Sequence, residues 1–527
     1  MHDYIVVGAG SGGAAAAGRL SEETSARVLL VEAGGQDAGN EYKIPSLWSG
    51  QYATPGDWEY WSEPEPFLGG RRLPYPRGKV LGGTSSMNAM LYVRAMPLDF
   101  EEWTAAGLRG WSWEDVLPYY KRAEGNVRFE SGVHGSTGPL VVSDRVSTNK
   151  LTEAWVQAAQ VAGHHRLDDF NGPEREGVGF WQLNQRDGKR WSTADAYVRP
   201  ALERPNFELL THAQTTRILF EGRRAVGVEV LLRDGTVQQL HAGTEVILAA
   251  GAYNTPQLLM LSGIGPAAHL REMGIELREE LPVGANLMDH PGTPFIVGVT
   301  GESLLGIGSA EDWERYERDG GGRLSSNVVE AGGFFRTAPS EPVPDVQIIV
   351  APVMLAGDGV GAMTQPAYTY ISEVTRPTST GTVALRSSNP LAKPRIVHNH
   401  FQTEHDRRVQ VAGMRIAMEI ADHAPIKDYE TERLVYPRSD SDEDLLEHIE
   451  RRGMGWFHPT STCAIGRVVD DELRVFGCEG LRVADGSVLP HMIRGNPNAT
   501  IVMIGERAAD FALGRTLAPT AADRAGA

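Results

Sequence analysis

The chain has 527 residues, 41% of them hydrophobic and 22% charged, which is typical of a globular protein larger than one simple core. Its net charge of −18 disfavours nucleic acid and anionic membrane surfaces as partners. The only cysteines, Cys463 and Cys478, exclude a disulfide framework and form no C-x-x-C zinc motif. No room for a signal peptide precedes the first strand, and no apolar run reaches about 18 residues, so we expect a cytoplasmic protein.

The first predicted elements are a buried strand and a helix joined by a glycine-rich turn, in DYIVVGAGSGGAAAAGRL (3–20). Gly8, Gly10 and Gly13 fit the G-x-G-x-x-G pattern. In this pattern the first glycine permits the tight turn, the second lets a pyrophosphate approach the backbone, and the third lets helix and strand pack closely. The helix N-terminus would then offer N–H groups to the phosphates. The stretch predicts a dinucleotide site.

A second predicted strand, RVLLVEAGG (27–35), carries Glu32 near its end. This is where dinucleotide-binding chains place a carboxylate that accepts hydrogen bonds from a ribose diol. Such an acid disfavours the 2′-phosphate of NADP. The pattern does not separate NAD from FAD, because both cofactors carry the same ADP half.

Further motifs follow along the chain. The stretch SAEDWERYERDGGG (309–322) predicts a short helix that Ser309 caps and glycines end. The other motifs are RGKVLGGTSSMNAMLYVRA (77–95), GAYNTPQLLMLSGIGP (251–266), GWFHPTSTCAIG (455–466), GLRVADGSVLP (480–490) and NPNATIVMIGERAADF (496–511). In this order and spacing, the chain from about residue 2 to 513 resembles the glucose–methanol–choline family of FAD-dependent oxidoreductases.

The resemblance implies an α/β (α+β overall) fold with two domains. One is a Rossmann-like FAD-binding domain, built discontinuously from residues 1–150, 190–294 and 450–515. The other is a substrate domain, a mostly antiparallel sheet with helices, from residues 151–189 and 295–449. We expect residues 516–527 to form a flexible tail.

The resemblance also assigns roles toward FAD. Glu32 would hold the adenosine ribose, and the glycine turn the pyrophosphate. Thr215 would pair its backbone with the adenine. The residues expected to contact the diphosphate, ribityl chain or flavin are Ser11, Gly12, Trp58, Gly78, Thr84, Asn88, Ala89, Met90, Leu91, Asp485 and Gly486. One position departs from the family's choline oxidases, where a histidine carries FAD covalently: here it is Met87. A thioether is no plausible nucleophile for that bond, so we expect non-covalent FAD.

The resemblance places His458 and Asn496 at the catalytic pair. Oxidation of an alcohol to an aldehyde or ketone removes a hydride from carbon, which flavin N5 accepts, and a proton from oxygen. An imidazole suits the base because its unperturbed pKa of about 6.5 puts both protonation states within reach near neutral pH. The Asn496 amide would position the substrate oxygen without carrying charge.

Two further residues are candidates for substrate contact. Trp456 lies where the family has small or aliphatic residues near the flavin edge that reacts with oxygen. We therefore expect it to line the cofactor and substrate sites and to favour an acceptor other than oxygen. Glu330, in NVVEAGGFF, occupies a position where choline enzymes oppose a quaternary ammonium, so a choline-type oxidase or dehydrogenase is one alternative. An FAD-containing lyase of the hydroxynitrile type is another.

The remaining histidines do not predict a metal site. His398 and His400, in VHNHFQTEH, share one face of a strand without a convincing third ligand, and we expect them in a solvated strand end. The partners we expect are therefore a small-molecule alcohol and an electron acceptor (oxygen or another), with no nucleic acid, membrane or metal. The oligomeric state stays open between monomer and homodimer.

Overall fold

Two seven-stranded sheets organise the fold in the computed structural model, which describes residues 1–130, 132–355 and 365–518. The first sheet is parallel at its centre and antiparallel at one side. Its strands, in spatial order, are Phe207–Leu210, Val28–Val31, His2–Val7, Val237–Leu248, Arg224–Leu232 and Ala213–Glu221, and Leu481–Val483 also pairs with Val237–Leu248.

The helix Ser11–Glu23 leaves the first strand through the glycine turn, as predicted, and packs against the C-terminal helix Asn498–Ala512. Glycines let the two backbones approach, because a Cβ on Gly505 would overlap the carbonyl oxygen of Gly12. A buried ion pair between Arg19 and Glu506, 2.9 Å apart, crosses the same contact. The C-terminal helix is therefore held directly behind the glycine turn.

The second sheet is antiparallel throughout, and its central strands are apolar and buried on both faces. Its strands, in spatial order, are Glu430–Val435, Pro291–Val299, Ala367–Val374, Val346–Ala351, Ala331–Phe335 and Gly177–Phe180, and Met454–Gly455 also pairs with Pro291–Val299. The mixed α/β fold with one Rossmann-like and one antiparallel sheet confirms the predicted fold class.

Shorter strands and the helices complete the fold. A three-stranded sheet contains Ala285–Leu287, Gly381–Ala384 and Arg395–Val397. Two-stranded pairs are Tyr60–Trp61 with Pro74–Tyr75, Glu124–Asn126 with Leu140–Val142, and Gln185–Arg186 with Lys189–Arg190. The other α-helices are Asn40–Lys43, Pro97–Ala105, Trp113–Ala123, Lys150–Val161, Arg199–Ala201, Gly251–Leu261, Ala267–Glu272, Ala310–Asp319, Glu404–Ala421 and Asp442–Arg452. Short 3₁₀ or π segments are Pro45–Gln51, Gly83–Ser86, Ala194–Val198, Arg323–Ser325, Ile426–Tyr429 and Gly486–Val488.

The predicted helix after Ser309 is present as Ala310–Asp319. The Ser309 hydroxyl accepts a hydrogen bond from the Asp312 amide at 3.2 Å, and Gly320 ends the helix with φ of 68°. Both end signals therefore act as the sequence predicts.

The strands of the first sheet all lie within the segments predicted for the FAD domain. Two strands of the second sheet depart from the predicted division. Pro291–Val299 crosses the boundary at 294, because its apolar run begins earlier, and Met454–Gly455 lies beyond residue 449. Residues 519–527 of the predicted tail lie outside the described residues. Among the described helices, none is both long and apolar enough to span a membrane.

Candidate active site

One cavity, with an empty volume of about 2210 Å³ counting its open mouth, extends from the glycine turn of the first sheet to the second sheet. Gly8 and Glu32 line it at the first sheet, and Ile349, Ile371 and Glu373 line it at the second. Its shape therefore suits a long ligand that reaches from one sheet to the other.

The glycine turn has the geometry of a phosphate cradle. Gly8 has φ of 98°, and a Cβ there would come within 2.5 Å of the Ala249 carbonyl oxygen. A Cβ on Gly10, in contrast, would meet nothing closer than the Gly83 Cα at 3.9 Å, so this backbone faces open space. Gly13 does not line the cavity; a Cβ there would overlap the Gly8 carbonyl oxygen, which is the helix–strand contact predicted for it.

Glu32 is buried at the cavity wall. Its carboxylate accepts hydrogen bonds from the backbone amides of Ala9 at 2.9 Å and Gly34 at 2.8 Å. Burial raises the pKa of Glu32 to about 7, although these two bonds oppose the shift. Thr215 also lines the cavity, and among the described residues its buried hydroxyl has no hydrogen-bond partner. A ligand in the cavity can therefore form hydrogen bonds with the Thr215 hydroxyl and with the Glu32 carboxylate.

The residues predicted for the middle of the cofactor lie together along the cavity. Trp58 stacks on Tyr60 with ring centroids 6.0 Å apart. The carboxylate of Asp485 accepts hydrogen bonds from the Gly251 amide at 2.8 Å and the Thr255 hydroxyl at 2.6 Å, which ties it to the start of the helix Gly251–Leu261. The lining includes Ser11, Gly12, Gly78, Thr84, Met87, Asn88, Ala89, Met90, Leu91 and Gly486.

His458 and Asn496 lie side by side at the other end of the cavity. Nδ2 of Asn496 is 3.3 Å from Nε2 of His458. Oδ1 of Asn496 accepts a hydrogen bond from the side-chain amide of Gln347 at 3.3 Å. The Gln347 bond orients the Asn496 amide so that its nitrogen faces the imidazole. The amide therefore donates to Nε2, which must carry a lone pair.

A second histidine fixes the other nitrogen of His458. Nδ1 of His458 lies 2.8 Å from Nδ1 of His290. Nε2 of His290 has two backbone carbonyls as partners, those of Thr375 at 3.0 Å and Ile493 at 2.9 Å, so it carries the hydrogen. Nδ1 of a neutral His290 therefore accepts, and Nδ1 of His458 donates.

The protonation states agree with this pattern. Burial lowers the pKa of His290 to about 4. Burial also lowers the pKa of His458 well below its usual value, and the neighbouring His290 and Arg77 act in the same direction. Both rings are therefore neutral near neutral pH, and His458 presents an unprotonated Nε2.

The loop that carries His458 is fastened to the start of the strand Pro291–Val299. The Trp456 amide donates to the His290 carbonyl at 3.0 Å, and the His458 amide donates to the Asp289 carboxylate at 2.7 Å. Between them, Phe457 has φ of 66°, a left-handed conformation that costs a residue with a Cβ about 1–2 kcal/mol. The Arg77 guanidinium holds the Phe457 carbonyl at 2.6 Å. Strained backbone held by several bonds is typical of functional sites.

Trp456 lines the cavity beside His458, as expected. A Cβ on Gly292 would overlap the Trp456 indole nitrogen, so the missing side chain at Gly292 makes room for this ring. Among the described residues, that buried Nε1–H has no hydrogen-bond acceptor.

Glu330 does not reach the cavity, which corrects the expectation that it faces the substrate. Its side chain is buried, and its carboxylate accepts hydrogen bonds from the Ser326 hydroxyl at 2.6 Å and the Asn149 amide at 2.8 Å. The preceding residue, Val329, lines the cavity instead. Successive residues at the entry to the strand Ala331–Phe335 point to opposite sides, and Glu330 is on the far side.

The expectation of a solvated strand end at His398 and His400 is wrong. Each is 2% exposed, their rings stack with centroids 4.7 Å apart, and Nε2 of His400 lies 2.6 Å from the Tyr75 hydroxyl. With Asp289 they form a group of three possible metal ligands within 4.8 Å. The group lies off the cavity lining, and its Tyr75 bond and ring stacking account for His400 without an ion.

Sequence reasoning missed three residues of this site: His290, Gln347 and Glu373. His290 stands in MDHPG, a turn just before an apolar strand, and is 168 residues from its partner. Glu373 is a single acid within the buried strand AYTYISEV. A lone acid in an otherwise apolar strand was a usable signal, because an unpaired buried carboxylate is costly to keep.

Comparison with known proteins supports one family. The models of the N- and C-terminal domains described as GMC oxidoreductase match residues 2–292 and 377–505. The oxygen-dependent choline dehydrogenase of Brucella ovis is 39% identical, over 98% of this chain and 96% of the relative. The alcohol dehydrogenase (acceptor) of Pseudomonas putida is 38% identical, over 97% and 95%. The crystal structure of pyridoxine 4-oxidase from Mesorbium loti matches with a TM-score of 0.89 and 28% identity, over 97% and 98%.

Proposed function

The chain belongs to the GMC oxidoreductase family, and on that premise we propose that it is an FAD-dependent enzyme that oxidises an alcohol to an aldehyde or ketone. The observation that carries the proposal is the neutral His458, whose Nε2 lone pair faces Asn496 and the cavity. Relatives named choline dehydrogenase and alcohol dehydrogenase support the same reaction class, oxidation at a CH–OH group.

The cavity residues fit FAD. Glu32 has the buried carboxylate that a ribose diol needs, and the backbone at Gly10 faces open space where a pyrophosphate would lie. When bound, FAD supplies a two-electron acceptor at flavin N5. We propose that Ser11, Gly12 and Thr215 hold the adenine and diphosphate half, and that Trp58 and residues 88–91 hold the flavin half. The attachment we propose is non-covalent, because Met87 stands at the position of the linking histidine.

The chain's own residues would handle the proton. His458 accepts the hydroxyl proton at Nε2, and Asn496 holds the same oxygen through its amide N–H, so no charge is brought into the site before reaction. His290 keeps the lone pair of His458 at Nε2 by occupying Nδ1. Ile349 and Ile371 add apolar surface to the cavity wall at the second sheet, which would reduce the access of water to the reacting carbon.

A choline-type substrate is supported by the names of the relatives alone. The residue assigned to the ammonium group, Glu330, is satisfied by Ser326 and Asn149 and does not line the cavity. We also propose an electron acceptor other than dioxygen, because the Trp456 indole fills the space beside His458.

The test is anaerobic mixing of the FAD-loaded enzyme with a panel of primary and secondary alcohols. An alcohol oxidase or dehydrogenase bleaches the long-wavelength flavin absorbance with a matching yield of aldehyde or ketone. The rival reading from the same family, a hydroxynitrile lyase, would cleave cyanohydrins while the flavin stays oxidised. Cleavage of cyanohydrins without bleaching by any alcohol would overturn the proposal.

A further inference from the structure

Glu373 is a buried acid at the reacting end of the cavity, and none of the described residues gives its carboxyl group a hydrogen bond. It lies on the strand Ala367–Val374, is 0% exposed and lines the cavity. Within residues 1–130, 132–355 and 365–518, neither of its carboxylate oxygens has a hydrogen-bond partner. Burial raises the pKa of Glu373 well above its usual value, and Asp289 acts in the same direction. A carboxyl group buried this way lacks the hydrogen-bond partners that buried polar groups normally have.

A neighbouring strand adds a second acceptor that has no partner among the described residues. Glu373 is paired with Gly292 on one neighbouring strand and with Gln347 on the other, so these positions share one face of the sheet. The Gln347 side chain donates to Asn496, while its own Oε1 has no partner among the described residues. At Gly292, the indole of Trp456 fills the place of the missing side chain. Glu373 and the side-chain oxygen of Gln347 are therefore two unsatisfied acceptors on neighbouring strands.

Neither His458 nor its positioning partner His290 can supply a donor to Glu373. A Glu373 oxygen lies within 4.8 Å of a ring nitrogen of both His290 and His458. The single hydrogen of His458 goes to His290, and the single hydrogen of His290 goes to backbone carbonyls. A metal shared by the three is disfavoured too, because the two Nδ1 atoms already bond each other at 2.8 Å. Glu373 also lines the cavity, so a ligand bound there is in position to supply a donor.

We propose that Glu373 binds a primary or secondary ammonium group of the substrate, so that the enzyme oxidises short amino alcohols. This inference rests on the proposed alcohol oxidation and names its substrate class. An ammonium restores the ionised carboxylate and supplies N–H donors for both Glu373 and the Gln347 oxygen. A quaternary ammonium has no N–H and would leave both acceptors unsatisfied.

The distance limits the length of the substrate. If the hydroxyl binds His458 and the ammonium binds Glu373, the substrate joins two side chains that have a ring nitrogen and a carboxylate oxygen within 4.8 Å of each other. An amine on the carbon next to the carbinol carbon, or one carbon further, fits that reach. With more carbons between the hydroxyl and the ammonium group, the ammonium would no longer lie next to the Glu373 carboxylate.

The first test uses the wild-type holoenzyme and substrates with one carbon skeleton. The probes are n-butanol and its 2-hydroxy, 2-amino and 2-trimethylammonium derivatives, mixed anaerobically while flavin reduction is recorded. The 2-amino alcohol should exceed n-butanol in kcat/KM by about 10-fold or more, the range expected for a hydrogen bond to a charged group. Equal rates, or a preference for the diol or the trimethylammonium compound, would overturn the inference.

The second test removes the charge. E373Q should reduce the ratio of amino alcohol to n-butanol by about 10-fold or more, chiefly through KM. The matched control is E330Q, which removes a buried carboxylate just before the strand Ala331–Phe335 of the same sheet, off the cavity. Its ratio should equal the wild-type ratio. If E373Q does not fold, competitive inhibition of the wild type by n-butylamine decides, and no inhibition overturns the inference. If none of the alcohols reduces the flavin, the proposed alcohol oxidation itself is refuted.

Discussion

The Nδ1 atoms of His458 and His290 lie 2.8 Å apart, and this single contact decides which nitrogen of His458 faces the cavity. Because His290 donates from Nε2 to two backbone carbonyls, it has only an acceptor to offer to His458. His458 must then donate from Nδ1 and keep its lone pair at Nε2, beside Asn496. One buried ring thus orients another without adding charge to the site.

The first prediction concerns His290 as a positioning residue. His290→Phe keeps the volume and removes the acceptor, so His458 is no longer held in one tautomer. We expect the limiting rate of flavin reduction to fall about 10- to 100-fold, with little change in substrate Kd. His290→Gln, whose amide oxygen can accept the same hydrogen bond, should recover part of the loss. A variant that changes only Kd, at unchanged FAD content, would contradict the positioning role.

The sequence predicted the first sheet's glycine turn, the helix after it and the place of Glu32 because these depend on local chemistry. Glycine conformation, strand hydrophobicity and helix propensity act within about 30 residues, which a pattern can capture. The Ser309 cap is local in the same way. His458 and Asn496 were reached through family motifs, which encode a shared site but give no contacts.

The residues that sequence reasoning misplaced depend on contacts between distant strands. Glu330 and its neighbour Val329 differ by one position, and that position decides which one faces the cavity. His398 and His400 look solvated in a polar stretch, but packing against Tyr75 buries them. A sequence shows that successive side chains of a strand point to opposite faces. It does not show which of the two faces another part of the chain will cover.

The second prediction concerns how FAD is attached. Met87 is buried in the cavity wall and has no nucleophilic group for a covalent bond to the flavin. We expect acid precipitation of the holoenzyme to leave the yellow colour in the supernatant, with FAD of unaltered mass. A yellow pellet, or a flavin peptide in a proteolytic digest, would contradict this.

The third prediction compares two glycines of the same turn. A Cβ on Gly10 has room in the protein alone but projects into the space proposed for the pyrophosphate. Gly10→Ala should therefore fold normally and weaken FAD binding by about 10-fold or more. A Cβ on Gly12 would overlap the Ala484 carbonyl oxygen, so Gly12→Ala should lower stability even without FAD. Calorimetric titration of the apoprotein with FAD, alongside thermal unfolding, separates the two effects. Equal loss of stability in both variants would contradict the assignment.

The fourth prediction concerns the electron acceptor. Trp456 occupies the cavity wall beside His458, where a small side chain would leave a path for dioxygen. We expect an artificial dye to reoxidise the reduced enzyme at least about 10-fold faster than air-saturated buffer does, and Trp456→Ala to raise the oxygen rate. Trp456→Phe keeps most of the side-chain volume, so its rate of reoxidation by oxygen should lie between those of the wild type and Trp456→Ala. Rapid release of hydrogen peroxide by the wild type would contradict the prediction.

The fifth prediction concerns acid stability, and His400 is its probe. Burial lowers the pKa of His400 from its usual value of about 6.5 to about 3, so between these values the unfolded chain binds a proton that the folded chain does not. The stability from keeping this ring neutral is fully present about one pH unit above 6.5 and is lost as pH falls through 6.5 toward 3. The loss amounts to about 1.4 kcal/mol of unfolding free energy per pH unit. Buried acids with raised pKa values act in the opposite direction, so the prediction concerns a difference between variants.

His400→Gln keeps a hydrogen-bonding side chain next to Tyr75 but does not titrate. Between pH 6.5 and 5.5, the unfolding free energy of the wild type should fall by about 1 kcal/mol more than that of this variant, because the unfolded ring is only half protonated at pH 6.5. Urea unfolding of the holoenzyme at both pH values measures the difference. The control is His241→Gln, which replaces an exposed histidine of the strand Val237–Leu248 and should follow the wild type. If His400→Gln also follows the wild type, the ring is protonated in the folded chain, and its burial does not hold it neutral.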